Sequence, residues 1–334
     1  MKGADRPPSS RRGISLLRSS AVGYAIYEHM RAADFPEDVV QFLPGAGEAV
    51  GAQLVEHPGV SMIAFTGSKE VGLSILETAG RTQPGQPEVK RVVCEMGGKN
   101  AIIIDEDADP DEAVAGVIAS AFGYAGQKCS ACSRAIVLSS AYDAFLRRLT
   151  DACRSLIVAP AQVPGCEMGP VIDKEAYDRL MSVIASPGPG AEAIFTGQAR
   201  EGGYYVPVTV IRVQDPSHPL MQKELFGPIL AVMKADTFEG ALDAALATPF
   251  ALTGGVYSRN PRHIEEASRR FRVGNLYINR PCTGARVGRQ PFGGFGMSGA
   301  GTKAGGPGYL LNFAVPRCVT ENTTRRGFTP ELNT

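Results

Sequence analysis

Apolar and polar positions recur along this chain with two periods, and the switches between them mark out the elements. Residues 39–43 predict a short strand, and residues 60–65 a second, mostly apolar one. Residues 69–80 carry Val71 and Ile75 at helical spacing. Residues 91–95 and 101–104 again predict strands. A helix is predicted over 110–122, with Asp109 as N-cap and Pro110 at the first helical position. Val114, Val117, Ile118, Ala121 and Phe122 line one of its faces. Further on, the pattern predicts a strand at 134–138, helices at 142–156 and 175–185, and a mixed stretch at 203–236. Helices at 238–247 and 261–270 flank a strand at 254–257, and a last strand follows at 274–279. Strands alternating with helices predict a parallel α/β sheet. Residues 284–306, rich in glycine, predict a long loop, and loops of that length usually carry function.

Composition narrows the class. A chain of 334 residues has room for two domains, and 44% hydrophobic with 20% charged residues is ordinary for a globular protein. Lys+Arg and Asp+Glu both number 34, without the basic excess of a nucleic-acid binder. The longest apolar run, 113–122, is too short to span a bilayer. In residues 1–20, Lys2, Arg6, Arg11, Arg12 and Arg18 stand among Ser and Pro, opposed only by Asp5. That start reads as disordered; a mitochondrial-type targeting peptide is the other reading. Seven cysteines at irregular spacing argue against a disulfide framework and for a reducing, cytoplasmic setting, or the mitochondrial matrix if the start is a targeting peptide. Cys129 and Cys132 form a C-x-x-C, but the four scattered histidines supply no second ligand pair, so no metal site is predicted.

Five short segments carry candidate chemistry, and a sixth, at 45–51, only imitates it. Phe65-Thr66-Gly67-Ser68 lies between a strand and a helix, where a capped turn, exposed N–H groups and the helix dipole suit a phosphate. Gly45-Ala46-Gly47-Glu48-Ala49-Val50-Gly51 imitates a dinucleotide fingerprint. Its last spacing is one residue too long, and it reads as a loop and helix start. Glu95 ends a strand ahead of Gly97 and Gly98; a carboxylate there is either a general base or a turn residue. Gly126-Gln127-Lys128-Cys129-Ser130 displays a cysteine on a turn, where a lone cysteine is more often inert. Glu224-Leu225-Phe226-Gly227-Pro228 offers a carboxylate for ribose hydroxyls and an aromatic ring, or a plain turn. The loop from Thr283-Gly284-Ala285 to Pro291-Phe292-Gly293-Gly294 has backbone N–H groups suited to a small carboxylate.

Taken in this order, F-T-G-S, E-M-G-G-K, G-Q-K-C-S, E-L-F-G-P and P-F-G-G-F-G-M-S-G resemble the aldehyde dehydrogenase superfamily, over about residues 21–332. The segments 126–134, 283–294, 303–307 and 320–327 are most similar to its L-glutamate γ-semialdehyde (1-pyrroline-5-carboxylate) dehydrogenase branch. The resemblance implies an α/β aldehyde dehydrogenase-like fold. It divides the chain into a basic start (1–20), a partial Rossmann-type NAD-binding domain (21–100), a catalytic domain (101–300) and a C-terminal segment (301–334) with an oligomerisation strand near 317–324. It implies Cys129 as the nucleophile that forms a thiohemiacetal and then a thioester, with its own N–H as one oxyanion donor, and Glu95 as the base for hydrolysis. It implies NAD held by Phe65, Thr66, Gly67, Ser68, Gly97, Glu224 and Phe226. It implies a substrate α-carboxylate anchored by Ser130, Gly284 and Ala285, with Phe292 on the aliphatic stem.

The family's chains begin much earlier than this sequence. The resemblance places the first strands of the cofactor domain, an oxyanion-hole asparagine and a ribose-binding lysine in that earlier part. Four readings are therefore carried forward. The first is NAD-dependent oxidation of L-glutamate γ-semialdehyde to L-glutamate, the second step of proline catabolism, by a homo-oligomer. The second is an inactive remnant or a partner subunit of a full-length relative. The third is oxidation of another aldehyde, and the fourth a thiol oxidoreductase using Cys129 and Cys132.

Overall fold

The computed structural model describes residues 12–36 and 38–323. It opens with helix α1 (Arg12–Ala32), so residues 12–20, expected to be part of a disordered start, form its first turns. The remainder of that start lies outside the described residues. Residues 39–43, expected as a strand, form none: Phe42 packs instead on Tyr24 and Tyr27 of α1, with ring centroids 5.8 and 6.2 Å apart. The glycine-rich decoy at 45–51 becomes a single π-helical turn (Gly47–Gly51) leading into α2 (Ala52–Glu56), as its reading as a helix start anticipated.

Strand β1 (Met62–Thr66), helix α3 (Lys69–Ala79) and strand β2 (Arg91–Glu95) make a parallel β–α–β unit. Strand β3 (Asn100–Ile104) then enters a different sheet. The chain continues through α4 (Pro110–Ala121), β4 (Cys132–Leu138), α5 (Ser139–Ser155), α6 (Lys174–Ala185), β5 (Ala191–Thr196) and β6 (Thr209–Val213). After α7 (Pro219–Gln222) come β7 (Ile229–Ala235), α8 (Phe238–Leu246), β8 (Phe250–Ala251), β9 (Thr253–Tyr257), α9 (Pro261–Arg270) and β10 (Asn275–Ile278). The predicted loop at 284–306 holds two two-residue strands, β11 (Phe295–Gly296) and β12 (Gly299–Ala300).

The larger sheet has the order β10-β9-β3-β4-β7-β6-β5, parallel throughout except for the edge strand β5. Every residue of β3 is buried, because α4 with α5 and α8 with α9 cover the sheet as two pairs. Asp109 caps α4 by accepting from the N–H groups of Asp111 and Glu112, and Pro110 fills the first helical position, where no donor is needed. Buried Arg134 on β4 donates to the carbonyls of Lys99, Ala244 and Ala245, tying the start of β3 to the end of α8.

The smaller sheet has the order β1-β2-β12. Residues 317–323, expected as an oligomerisation strand, are exposed and form no strand in the single chain, where no neighbouring strand offers a hydrogen-bond ladder; residue 324 lies outside the described residues. No helix among the described residues is long and apolar enough to cross a membrane, and none of their His, Cys, Asp and Glu residues form a group of three suited to a metal ion.

Candidate active site

The two sheets meet where β2 ends and β3 begins, and a cleft of about 810 Å³ opens there. One side is built by the β1–α3 turn. Ser68 caps α3 by accepting from the Val71 N–H at 3.3 Å, leaving Thr66, Gly67 and the start of the helix facing the cleft. Gly97 lies beneath Glu224, whose carboxylate would collide with any Cβ there and which accepts from the Gly98 N–H at 2.9 Å. Phe226 stands beside it with φ at +56°, a left-handed conformation rare outside glycine.

The other side is the cysteine turn. Tyr124, Ala125 and Gly126 are left-handed in succession, with φ at +58°, +54° and +66°. Three such residues reverse the chain sharply after α4 and present Gln127, Lys128, Cys129 and Ser130 to the cleft. Ala285 and Phe292, from the long loop, complete the lining. Ser130 Oγ meets Thr283 Oγ1 at 2.8 Å, joining the cysteine turn to that loop.

The cleft thus gathers Thr66, Gly67, Ser68, Gly97, Cys129, Ser130, Glu224, Phe226, Ala285 and Phe292 of the predicted residues. Phe65, Gly284 and Glu95 stand outside its lining. Phe65 lies under Gly67, where its ring occupies the space of a Cβ, and Gly284 is a left-handed turn residue with φ at +79°. Glu95 is set behind the cleft at the end of β2, paired with Thr66 of β1 and Gly299 of β12. Its Oε2 is buried without a hydrogen-bond partner. Met96, Gln127 and Lys128, inside the quoted motifs, also line the cleft, and sequence reasoning gave no role to Thr283 or Lys303. Thr283 and Lys303 each stood in a quoted segment, so position alone marked them; nothing local linked Lys303 to Glu95, 208 residues away by numbering.

Charge in this region is set mainly by burial. Glu95 is pushed up to about 7 by loss of water, against a smaller pull from the Lys303 ammonium. Burial also raises the Glu224 carboxyl, opposed by the Gly98 N–H and by Lys99. Lys99, fully buried, is brought down to about 7 by desolvation and by Arg134, with Glu224 resisting. The Cys129 thiol is raised, first by burial and then by Glu224; the backbone N–H groups of Ser130 and of Cys129 itself pull the other way. A half-buried thiol and a half-buried carboxylate at the cleft, with a carboxyl that titrates near neutrality behind it, are the parts of a covalent, base-assisted reaction.

The aldehyde dehydrogenase family model matches residues 17–319, nearly all of this arrangement. The chain belongs to the aldehyde dehydrogenase family. It is 46% identical over 301 residues to a protein of Geobacillus thermodenitrificans named 1-pyrroline-5-carboxylate dehydrogenase, covering 90% of this chain and 58% of the relative. It is 46% identical over 295 residues to 1-pyrroline-5-carboxylate dehydrogenase 2 of Bacillus subtilis, covering 88% and 57%. A solved Thermus 1-pyrroline-5-carboxylate dehydrogenase with bound NAD superposes with a TM-score of 0.85 at 48% identity, covering 88% of this chain and 57% of that one. Proline utilization A from Bdellovibrio bacteriovorus, inactivated by N-propargylglycine, gives a TM-score of 0.90 at 52% identity, covering 93% and 32%. This aldehyde dehydrogenase chain therefore spans somewhat over half the length of its curated relatives.

Proposed function

We propose that this chain oxidises L-glutamate γ-semialdehyde to L-glutamate with NAD, through a covalent intermediate on Cys129. The observation that carries the reading is the single cleft in which Cys129 and Ser130 face Ala285 and Phe292 on one side and Ser68, Gly97, Glu224 and Phe226 on the other. The cofactor side fits a dinucleotide: Gly67 and Gly97 leave the space that Phe65 and Glu224 occupy, α3 offers its N-terminal N–H groups to a phosphate, and Glu224 offers a carboxylate to ribose hydroxyls. Ser68, Gly97, Glu224 and Phe226 would hold NAD, which when bound supplies the acceptor for the electron pair leaving the aldehyde carbon.

Cys129 gives up its thiol proton to water and adds through sulfur to the aldehyde carbon, and its own N–H donates to the oxygen that gains charge. Glu95 takes a proton from the water that attacks the thioester carbonyl; a carboxyl titrating near 7 holds and releases that proton readily at neutral pH. Collapse of the tetrahedral adduct returns the sulfur to Cys129 and leaves a carboxylate. The Ser130 hydroxyl, fixed by Thr283, and the backbone N–H of Ala285 receive the substrate's α-carboxylate, with left-handed Gly284 turning the chain to present Ala285, while Phe292 packs on its stem. The names of the relatives in Geobacillus and Bacillus support the choice of substrate, and the NAD-bound Thermus structure supports the cofactor.

The domain division near residue 100, a cytoplasmic location and a homo-oligomer paired through residues 317–323 belong to the same reading. A second reading, a partner subunit completed by another polypeptide, draws on the open outer edge of β1 and on exposed Leu54 of α2 and Val71 and Leu73 of α3. NADH formation from glutamate γ-semialdehyde and from a simple aldehyde of equal length separates these. Turnover by the purified chain that needs the α-carboxylate supports the first reading. Turnover that appears only when a full-length relative is added supports the second.

A further inference from the structure

Asn100, at the first position of β3, is buried to 2% exposure and spends its whole carboxamide on three backbone groups. Its Nδ2 donates to the carbonyls of Cys129 and Ala131, both at 2.8 Å, and its Oδ1 accepts from the Thr253 N–H at 2.9 Å. Two acceptors on one side and a donor on the other fix the orientation of the amide unambiguously. The register of β3 against β4 slips between Asn100 and Ala101, so the backbone ladder is irregular here, and the side chain bridges the gap to the cysteine turn.

The carbonyl of Cys129 and the N–H of Ser130 belong to one planar peptide unit. Asn100 holds that unit by its oxygen, and the Ser130 N–H at its other end is the next donor along the chain from the Cys129 side chain, where it favours the thiolate. We infer that Asn100 is a positioning residue for the nucleophile: by pinning and polarising the 129–130 peptide, it aims an N–H donor at the Cys129 sulfur. Hydrogen bonds in series strengthen one another, so the bond accepted by the carbonyl makes the N–H a better donor to a thiolate. This rests on the reading of Cys129 as the nucleophile, but it concerns a property of the free protein. Neither the cofactor nor the aldehyde enters it.

Asn100→Asp keeps the volume and turns two donors into an acceptor that repels both carbonyls. Asn100→Ser leaves a hydroxyl that reaches at most one of them. The test is the pH profile of Cys129 alkylation by iodoacetamide in the whole chain, followed by peptide mass spectrometry, with exposed Cys318 as the internal reference and melting temperature measured alongside. In either folded variant the midpoint for Cys129 moves up by about one pH unit, a tenfold loss of thiolate at fixed pH, while Cys318 is unchanged. A folded variant whose Cys129 profile overlays the wild type overturns the inference, whatever happens to its melting temperature. Failure of both variants to fold also overturns it, since Asn100 then serves the core alone. Turnover of the wild type is scored separately: its absence counts against the proposed reaction and leaves the alkylation result standing.

Discussion

A Cβ placed on Gly293 would stand 2.5 Å from Glu95 Oε1, closer than any real contact allows. The long loop thus presses bare backbone against the carboxyl proposed as the base, and the neighbouring Phe292 lines the cleft. Gly293→Ala should displace that carboxyl. A misplacement of about 1 Å can cost on the order of 100-fold in rate, and the loss should fall on thioester hydrolysis. Rapid-mixing measurements should show a first equivalent of NADH formed at near wild-type rate, followed by slow turnover.

Glu95 sets the acidic limb of the rate profile. The base works as carboxylate, so the rate of hydrolysis should fall as pH drops through about 7. Lys303 holds that value down, so Lys303→Met should shift the limb to higher pH. A pH series of steady-state rates on both proteins checks the direction.

The same carboxyl bears on stability. Its folded value of about 7 lies above the ordinary 4.5, so between those values the folded chain holds a proton that the unfolded chain releases. Glu95 therefore destabilises the fold progressively as pH rises through that window, and not below it. Glu95→Gln should melt higher than the wild type at pH 8 and nearly the same at pH 4, as thermal unfolding at the two pH values will show.

Ser130 and Thr283 share a hydrogen bond that links the nucleophile's turn to the loop proposed to hold the α-carboxylate. Thr283→Val removes it without changing volume much. One hydrogen bond of about 1 kcal/mol corresponds to a several-fold change in affinity. The expected result is a KM for glutamate γ-semialdehyde raised roughly 5- to 10-fold, with kcat/KM for propanal little altered.

Arg134 gives the fold its own test. Arg134→Met leaves the carbonyls of Lys99, Ala244 and Ala245 buried without their donor. A buried unsatisfied acceptor costs about 1–3 kcal/mol, so denaturant unfolding should show a loss of at least about 3 kcal/mol.

Local pattern carried the fold far. The bounds of β2 and the capped start of α4 were legible because an apolar run or a capping residue lies at each boundary. Strand β5 was not, since Ala191–Thr196 is a half-exposed edge strand with one glutamate and little apolar periodicity. The extended residues 39–43 looked like a strand because propensity is local while a ladder needs a neighbour. At the cleft, motif order alone pointed to most of the lining. The left-handed pair Tyr124 and Ala125, the clamp from Asn100 and the approach of Lys303 to Glu95 arise from tertiary packing, and none leaves a mark in the residues beside it.

The covalent reaction at Cys129, completed by Glu95, is put to the test by following NADH from glutamate γ-semialdehyde and NAD with the wild type, Cys129→Ala and Glu95→Gln side by side. Continuous turnover is expected of the wild type, none of Cys129→Ala, and a single stoichiometric burst of Glu95→Gln with the acyl group recovered on Cys129 by mass spectrometry. Steady NADH production by Cys129→Ala, or undiminished turnover by Glu95→Gln, would contradict it.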